Sequence, residues 1–506
     1  MPHQALRRGA VPAAAGTGEE TGLWKRDNMS SLYTIDDLQG WDRKIREKAG
    51  EFGLDCYPQQ FEVCDHNQML SNMAYSGVPA RYPHWSYGKT YEKQKTLYDY
   101  GVSGLPYELV INSNPVLAYL MRDNTLLLQI LTIAHVYGHN DFFKNNSTFK
   151  ATRPEYTIDT FKAHGVRVRS YIENPGIGLE KVETLLDAAH AVALQCRRNL
   201  AIRKRTPEEE REALMESAQP LLDPFQRIHR RMPPIQPDLN KVPPAPDQDL
   251  LLFIRDHNPK LAEWARDVLT IVHEEAQYFI PQIETKLMNE GWATYWHKRI
   301  LDSLNLPQDL YLEFIVRHNQ VVRPLKSSLN PYHIGLAVWQ DIYRRCGESV
   351  DAEGAQSENR DESPKISGLF DVRESDRDSS FLRRHLTEAL IRDLNLYEYE
   401  TKDGRSTIRN VADRAGWHQV KETLLRNVGM NSVPVIKVED ADFGHKHTLY
   451  LIHDHDGRDL ELEYAEKTLA YMSQLWGGEV VLKTVLNGIP YLLTFADSGF
   501  SAKSLD

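Results

Sequence analysis

Three short segments carry ionisable residues where a helix should be apolar: Ala134 to Asn140, His273 to Phe279 and Asn289 to His297. Burying an imidazole or a carboxylate is costly unless it is paired, hydrogen-bonded or bound to metal. In the first segment His135 and His139 stand four apart, so they share one helix face and can reach one divalent ion. The run His135-Val136-Tyr137-Gly138-His139 has the spacing of the H-E-x-x-H zinc peptidases, but Val136 stands where those keep a glutamate. In the second segment Glu275 alone interrupts the stripe Leu261, Ala265, Val268, Val272 and Phe279, while His273, Glu274 and Gln277 project elsewhere. In the third, Glu290 and His297 interrupt the stripe Ile283, Leu287, Thr294 and Leu301. If the three stripes face one another, His135, His139, Glu275, Glu290 and His297 converge. That donor set suits Zn²⁺, or a first-row metal such as Fe or Mn, with spare carboxylates as base or support. A hydrogen-bonded polar core is the other reading, because an i, i+4 histidine pair also arises by chance. His84, His318 and His333 read as structural, and Tyr137, Trp292 and Trp296 as packing.

The elements that must position these residues are mostly helical. Ile35, Leu38, Trp41, Ile45 and Phe52 keep helical spacing. Residues Tyr82 to Lys89 are dense in Pro, Gly and aromatics and read as an ordered loop. Asn114-Pro115 looks like a helix start for a helix running to about Phe143, and Asn258-Pro259 for one stopping at Pro281. A third helix is expected from Gln282 to Leu301 and another from Gly335 to Arg345. In the last quarter of the chain, Val433 to Val438, Thr448 to Ile452 and Glu479 to Thr494 read as strands, and Tyr464 to Leu475 as a helix. Asp456-Gly457 and Asn487-Gly488 are turn signals. The resulting organisation is a disordered leader over 1–30, with Met29 an alternative start, and a mainly α-helical core over 31–350. Within the core, 205–248 reads as a linker or insertion. An acidic loop over 351–379 and a smaller C-terminal α+β domain over 380–506 follow.

Composition narrows the function classes. At 506 residues, 41% hydrophobic and 26% charged, the chain is an ordinary globular protein able to hold more than one domain. A formal net charge of -11 argues against a broad nucleic-acid-binding surface, and the basic run Arg197 to Arg205 reads as a solvated helix end. Cys56, Cys64, Cys196 and Cys346 form no C-x-x-C pair, which fits a reducing compartment. No apolar run is long enough to span a bilayer. No nucleophile elbow, Walker loop or dinucleotide fingerprint is present. His453 and His455 are the other cluster of ligand types, read as a solvated hairpin end.

Long ordered stretches carry a family resemblance: Glu51 to Asp55, Tyr82 to Lys89, Tyr107 to Pro115, Gly138 to Asn146, Glu275 to Phe279, Met288 to Ala293, Tyr295 to His297 and Asn330 to Tyr332. Through them the chain resembles the SpoVR family, stage V sporulation protein R and its relatives, from about Leu38 into the C-terminal domain. The resemblance implies a cytoplasmic bacterial protein linked in spore formers to spore-cortex assembly. Relatives also occur in bacteria that make no endospores, and the family supplies a biological context rather than a reaction. The histidine pair followed by Glu290-Gly291-Trp292-Ala293 also looks like the gluzincin peptidases. Carried over, that likeness makes His135, His139 and Glu290 the ligands of a zinc ion. Val136 departs from the gluzincin pattern, so a base must come from elsewhere, with Glu275 or Glu274 the candidates. One expectation is therefore a metal-dependent hydrolase of peptide or peptidoglycan amides, with Glu275 as base and His297 orienting a ligand or stabilising an oxyanion. The alternative is a non-catalytic regulatory or scaffold protein that binds protein partners through its C-terminal domain.

Overall fold

Every residue from Leu127 to Phe143 is buried in the helix Leu126–Asn145, the double-histidine helix. A helix that is buried all round belongs inside a core, and the other elements of its unit pack about it. The structure is a computed structural model. It describes residues 33–78, 81–102, 104–198, 203–218, 238–325, 329–352, 363–402, 405–410 and 416–505. The expected leader and Met29 lie outside these residues.

The double-histidine helix does not begin at Asn114-Pro115. Val116–Met121 is instead the middle strand of a small sheet, parallel to Gln59–Cys64 and antiparallel to Glu108–Ile111. A six-residue apolar run suits a buried strand as well as a helix, and periodicity cannot separate the two. Thr125 caps the helix proper, accepting a hydrogen bond from the Leu128 N–H at 3.2 Å. The second expected helix spans Glu263–Glu284 and runs through Pro281 rather than stopping there. The break falls at Thr285, and the Glu290 helix occupies Lys286–Ser303. Pro331–Ala352 forms the next long helix, starting four residues before the expected Gly335.

The chain divides into two compact units. Of the described residues, one unit holds those up to Arg167 and from Tyr278 to Ser432, and the other holds those from Val168 to Gln277 and from Val433 onwards. The helical unit includes residues 380–432, which the sequence places at the start of the C-terminal domain. Phe381, Leu382, Ile391, Val420 and Leu424 belong to the same core as Trp292, Trp296 and Trp339, so burial of their apolar faces assigns them to the helices. The expected acidic loop is mostly helical where it is described, at Ser363–Ser375 and from Asp378. The linker over 205–248 opens with the helix Pro207–Ser217 behind a Thr206–Glu209 capping box, as the charged helix-like start of that segment predicts.

The second unit has a five-stranded sheet formed by Ile436–Phe443, Thr448–His453, Val480–Leu486, Ile489–Ala496 and Gly499–Ser504, lying side by side in chain order. Thr448–His453 and Val480–Leu486 are parallel, joined through the helix Leu462–Trp476. The His453–Gly457 segment therefore leads into a crossover, not a hairpin. Asn487-Gly488 does close a hairpin, with positive φ at both residues. Among the described residues no helix is long and apolar enough to cross a membrane.

Candidate metal centre

Glycine contacts bring the helices of the centre close together. A methyl added at Gly138 would lie 2.6 Å from the Ala293 Cα, and one at Gly291 would collide with the Gly335 backbone. One at Gly335 would meet the Leu287 carbonyl oxygen. Gly138 directly precedes His139 and Gly291 directly follows Glu290, so the closest backbone approach occurs at the functional side chains. The Glu290 helix is fixed at its first turn by Asp378, which accepts from the Leu287 and Met288 N–H groups at 2.9 Å each. Trp292 donates to Asp141 at 2.9 Å, and Arg373 pairs with the same carboxylate at 2.9 Å. Asn140 binds the Tyr57 N–H and carbonyl. The polar residues after His139 thus clamp the double-histidine helix to its neighbours.

Within this frame His135, His139 and Glu290 meet. Their potential ligand atoms all lie within 4.8 Å of one another, and no other such group occurs among the described residues. The Glu290 Oε2 is 3.6 Å from the Nε2 of each histidine, beyond hydrogen-bond length. Donors about 2.0–2.2 Å from a tetrahedral Zn²⁺ lie roughly 3.2–3.6 Å apart, so these separations match a shared ion. The His135 Nε2 and Glu290 Oε2 are buried and form no hydrogen bond. Two buried polar atoms facing each other at this distance, with no hydrogen bond to satisfy them, fit a shared cation. The other nitrogen of each ligand histidine is engaged: His139 Nδ1 bonds Asn289 Oδ1 at 2.8 Å, and His135 Nδ1 bonds His297 Nδ1 at 3.0 Å. Such support fixes ring orientation and leaves Nε2 for the metal. The residues fit the group.

Electrostatics point the same way. Burial and the neighbouring His135 push the His139 imidazole down to about 4, against the pull of Glu290 and Asn289. Burial raises the Glu290 carboxyl, but His135, His139 and Lys286 outweigh it and hold the group at about 2. A neutral imidazole and an ionised carboxylate are the forms that bind a metal. The Glu290 side chain keeps 22% of its exposure, while its Oε2 and the His135 Nε2 are themselves buried.

The two expected catalytic residues, His297 and Glu275, are not members of the three-residue cluster. His297 is no ligand: its Nδ1 faces His135 and its Nε2 lies 2.9 Å from His318 Nδ1. With both nitrogens engaged it orients His135 and has no donor left for an oxyanion. Glu275 is buried in the other unit and is absent from the cluster. Residue spacing did not single out Glu108, Tyr332 or Asn289, and it read His318 as structural. Burial raises the Glu108 carboxyl to about 7, with His135 opposing and Glu290 adding to the rise. Tyr332, its ring 6.0 Å from that of His135, is pushed well above the usual phenol range by burial and by Glu290 and Glu108. Glu108 begins a strand and Tyr332 opens a helix. Neither interrupts an apolar helical stripe, and only their place within the resembling stretches marked them.

The fold and site define a two-unit protein, mainly helical, with a His₂Glu cluster supported by further histidine and amide groups. Residues 32–433 match the family described as "SpoVR like protein", and residues 434–487 match "SpoVR-like C-terminal domain". The chain belongs to the SpoVR family. It is 31% identical over 473 residues to the uncharacterized protein YcgB of Escherichia coli (strain K12), a match covering 89% of this chain and 92% of that protein. No solved structure matches.

Proposed function

We propose that this chain is a metal-dependent hydrolase whose His135, His139 and Glu290 hold one divalent ion, zinc by donor type. The observation that carries the reading is the pair of orphaned atoms, His135 Nε2 and Glu290 Oε2, facing each other 3.6 Å apart. A bound divalent ion would act as a Lewis acid, polarising a carbonyl and acidifying a water. Glu108 takes the base role that the sequence analysis offered to Glu275, because it lies within electrostatic reach of His135 and Glu290. A carboxyl held near neutrality suits proton transfer at physiological pH. Tyr332, hydrogen-bonded to Glu290, keeps its proton and would help hold that ligand in place. Val136 then presents no difficulty, since the base need not sit on the double-histidine helix. The proposed substrate is a peptide or peptidoglycan amide, a choice resting on the cell-wall context of the family.

A second reading has an observation of its own. His135, His297 and His318 are all buried, as in a purely structural polar knot. On that reading the protein is a scaffold with a structural metal, and its C-terminal unit binds protein partners. Elemental analysis of protein purified without added metal is the first test; no metal and no uptake of zinc would end the hydrolase reading. The second is Glu108→Gln. Loss of amide hydrolysis or of complementing function in a folded, zinc-loaded variant supports the enzyme. Full complementation by that variant favours the scaffold.

A further inference from the structure

His297 and His318 extend the centre away from the proposed ion. Three buried imidazoles stand in file: His135 Nδ1 is 3.0 Å from His297 Nδ1, and His297 Nε2 is 2.9 Å from His318 Nδ1. Two ring nitrogens facing each other at this distance share one proton, one donating and the other accepting. The file therefore has two self-consistent orders when every ring is neutral.

In the first order His135 gives its bare Nε2 to a metal and carries its proton on Nδ1. It donates to His297 Nδ1; His297 then carries its proton on Nε2 and donates to His318 Nδ1. His318 is left with its proton on its own Nε2. In the second order His135 keeps a proton on Nε2, directed at the ionised Glu290 Oε2 3.6 Å away. Its Nδ1 then accepts from His297, whose Nε2 accepts from His318. Without a metal the Glu290 carboxylate favours the second order; with one, only the first is possible. The change balances: one proton leaves His135 Nε2 and one arrives at His318 Nε2. Between them two protons each cross a hydrogen bond, and the charge of the file is unchanged.

We infer that His135, His297 and His318 form a tautomer relay, in which metal at His135 Nε2 sets the proton position on His318 two rings away. His318 is thus a positioning residue for the metal ligand. This rests on the metal reading of the previous section. Simple packing would need no fixed order, and another buried side chain would then serve in place of His318.

The test uses full-length protein labelled with ¹⁵N-histidine, with and without one equivalent of Zn²⁺. The ¹⁵N shifts of the ring nitrogens report which one carries the proton. On zinc binding the His318 proton should move from Nδ1 to Nε2. His297→Phe should abolish that response. Zinc affinity should fall about tenfold in His318→Leu, the usual effect of removing such a support. It should stay within about threefold in His318→Gln, whose carbonyl oxygen still accepts from His297. A His318 tautomer that is the same with and without zinc overturns the relay, as do equal affinities for the Leu and Gln variants. The wild-type spectra decide the matter even if a variant fails to fold. Zinc binding with His318 unmoved refutes the relay alone, whereas no zinc binding at all refutes both the relay and the metal reading.

Discussion

At the scale of single residues, the centre depends on what each side chain gives up. Glu290 interrupts a buried helix face and meets two imidazoles, whereas Glu274 is exposed on its own helix. Removing a metal ligand removes binding free energy that also stabilises the fold. Zinc should therefore raise the melting temperature of the wild type and of Glu274→Gln equally, and that of Glu290→Gln far less. Equal zinc-dependent shifts in both variants would contradict the ligand assignment. The double change His135→Ala with His139→Ala should reduce bound metal from about one ion per chain to none, as read by elemental analysis. Retention of a full equivalent would place the metal elsewhere. These ligands were legible because buried charges on an apolar stripe stand out. Glu108 and Tyr332 were not, because residues at the start of a strand or helix break no stripe.

At the scale of elements, small residues and one buried carboxylate set the geometry. Gly291 and Gly335 touch backbone to backbone, so Gly291→Ala forces the two helices apart. Overpacking of this kind costs typically 1–3 kcal/mol, and here it also moves the neighbouring Glu290. Both the melting temperature and the zinc affinity should drop; a variant with both unchanged would show that the close approach is unimportant. Asp378 gives a pH test. Burial raises its carboxyl to about 7, the Leu287 and Met288 N–H groups only partly offsetting this. The folded state therefore holds the proton more tightly than the unfolded chain. Its contribution to stability is fullest below the ordinary carboxyl range near 4 and declines as pH rises towards 7. The stability of the wild type relative to Asp378→Asn should fall over that interval in denaturant titrations. A flat or rising difference would mean that Asp378 caps its helix as a carboxylate throughout. The existence of these helices was legible from periodicity, but several of their boundaries were not. Asn-Pro resembled a helix start at 114–115, where the following apolar run pairs as a strand, and Pro281 resembled a stop where the helix continues.

At the scale of the whole molecule, the described residues pass between the two units three times, and all three proposed ligands fall in the helical one. Sequence reading ran the core without interruption from 31 to 350, apart from a linker at 205–248, and began the C-terminal domain at 380, although its first strand signal is at Val433. The apolar faces of the helices between 380 and 432 show no such signal, and they belong to the helical core. Nothing local in residues 168–277 announces that they return to the sheet-bearing unit, since burial against distant strands leaves no sequence period of its own. The division has a measurable consequence. A ligand that binds only the native state stabilises it by about 2.7 kcal/mol at a free concentration a hundredfold above Kd, and the effect reaches those openings that disrupt its site. Zinc should therefore slow amide hydrogen exchange in Leu126–Asn145, Lys286–Ser303 and the first turns of Pro331–Ala352. Exchange in Thr448–His453, Val480–Leu486 and Ile489–Ala496 should be unchanged. The comparison needs protein with and without one equivalent of zinc, each exchanged for the same times and read by mass spectrometry of peptides. Protection spread evenly over both units would mean that they open as one cooperative body. Protection confined to the strands would move the ion out of the helical unit and remove His135, His139 and Glu290 as its ligands.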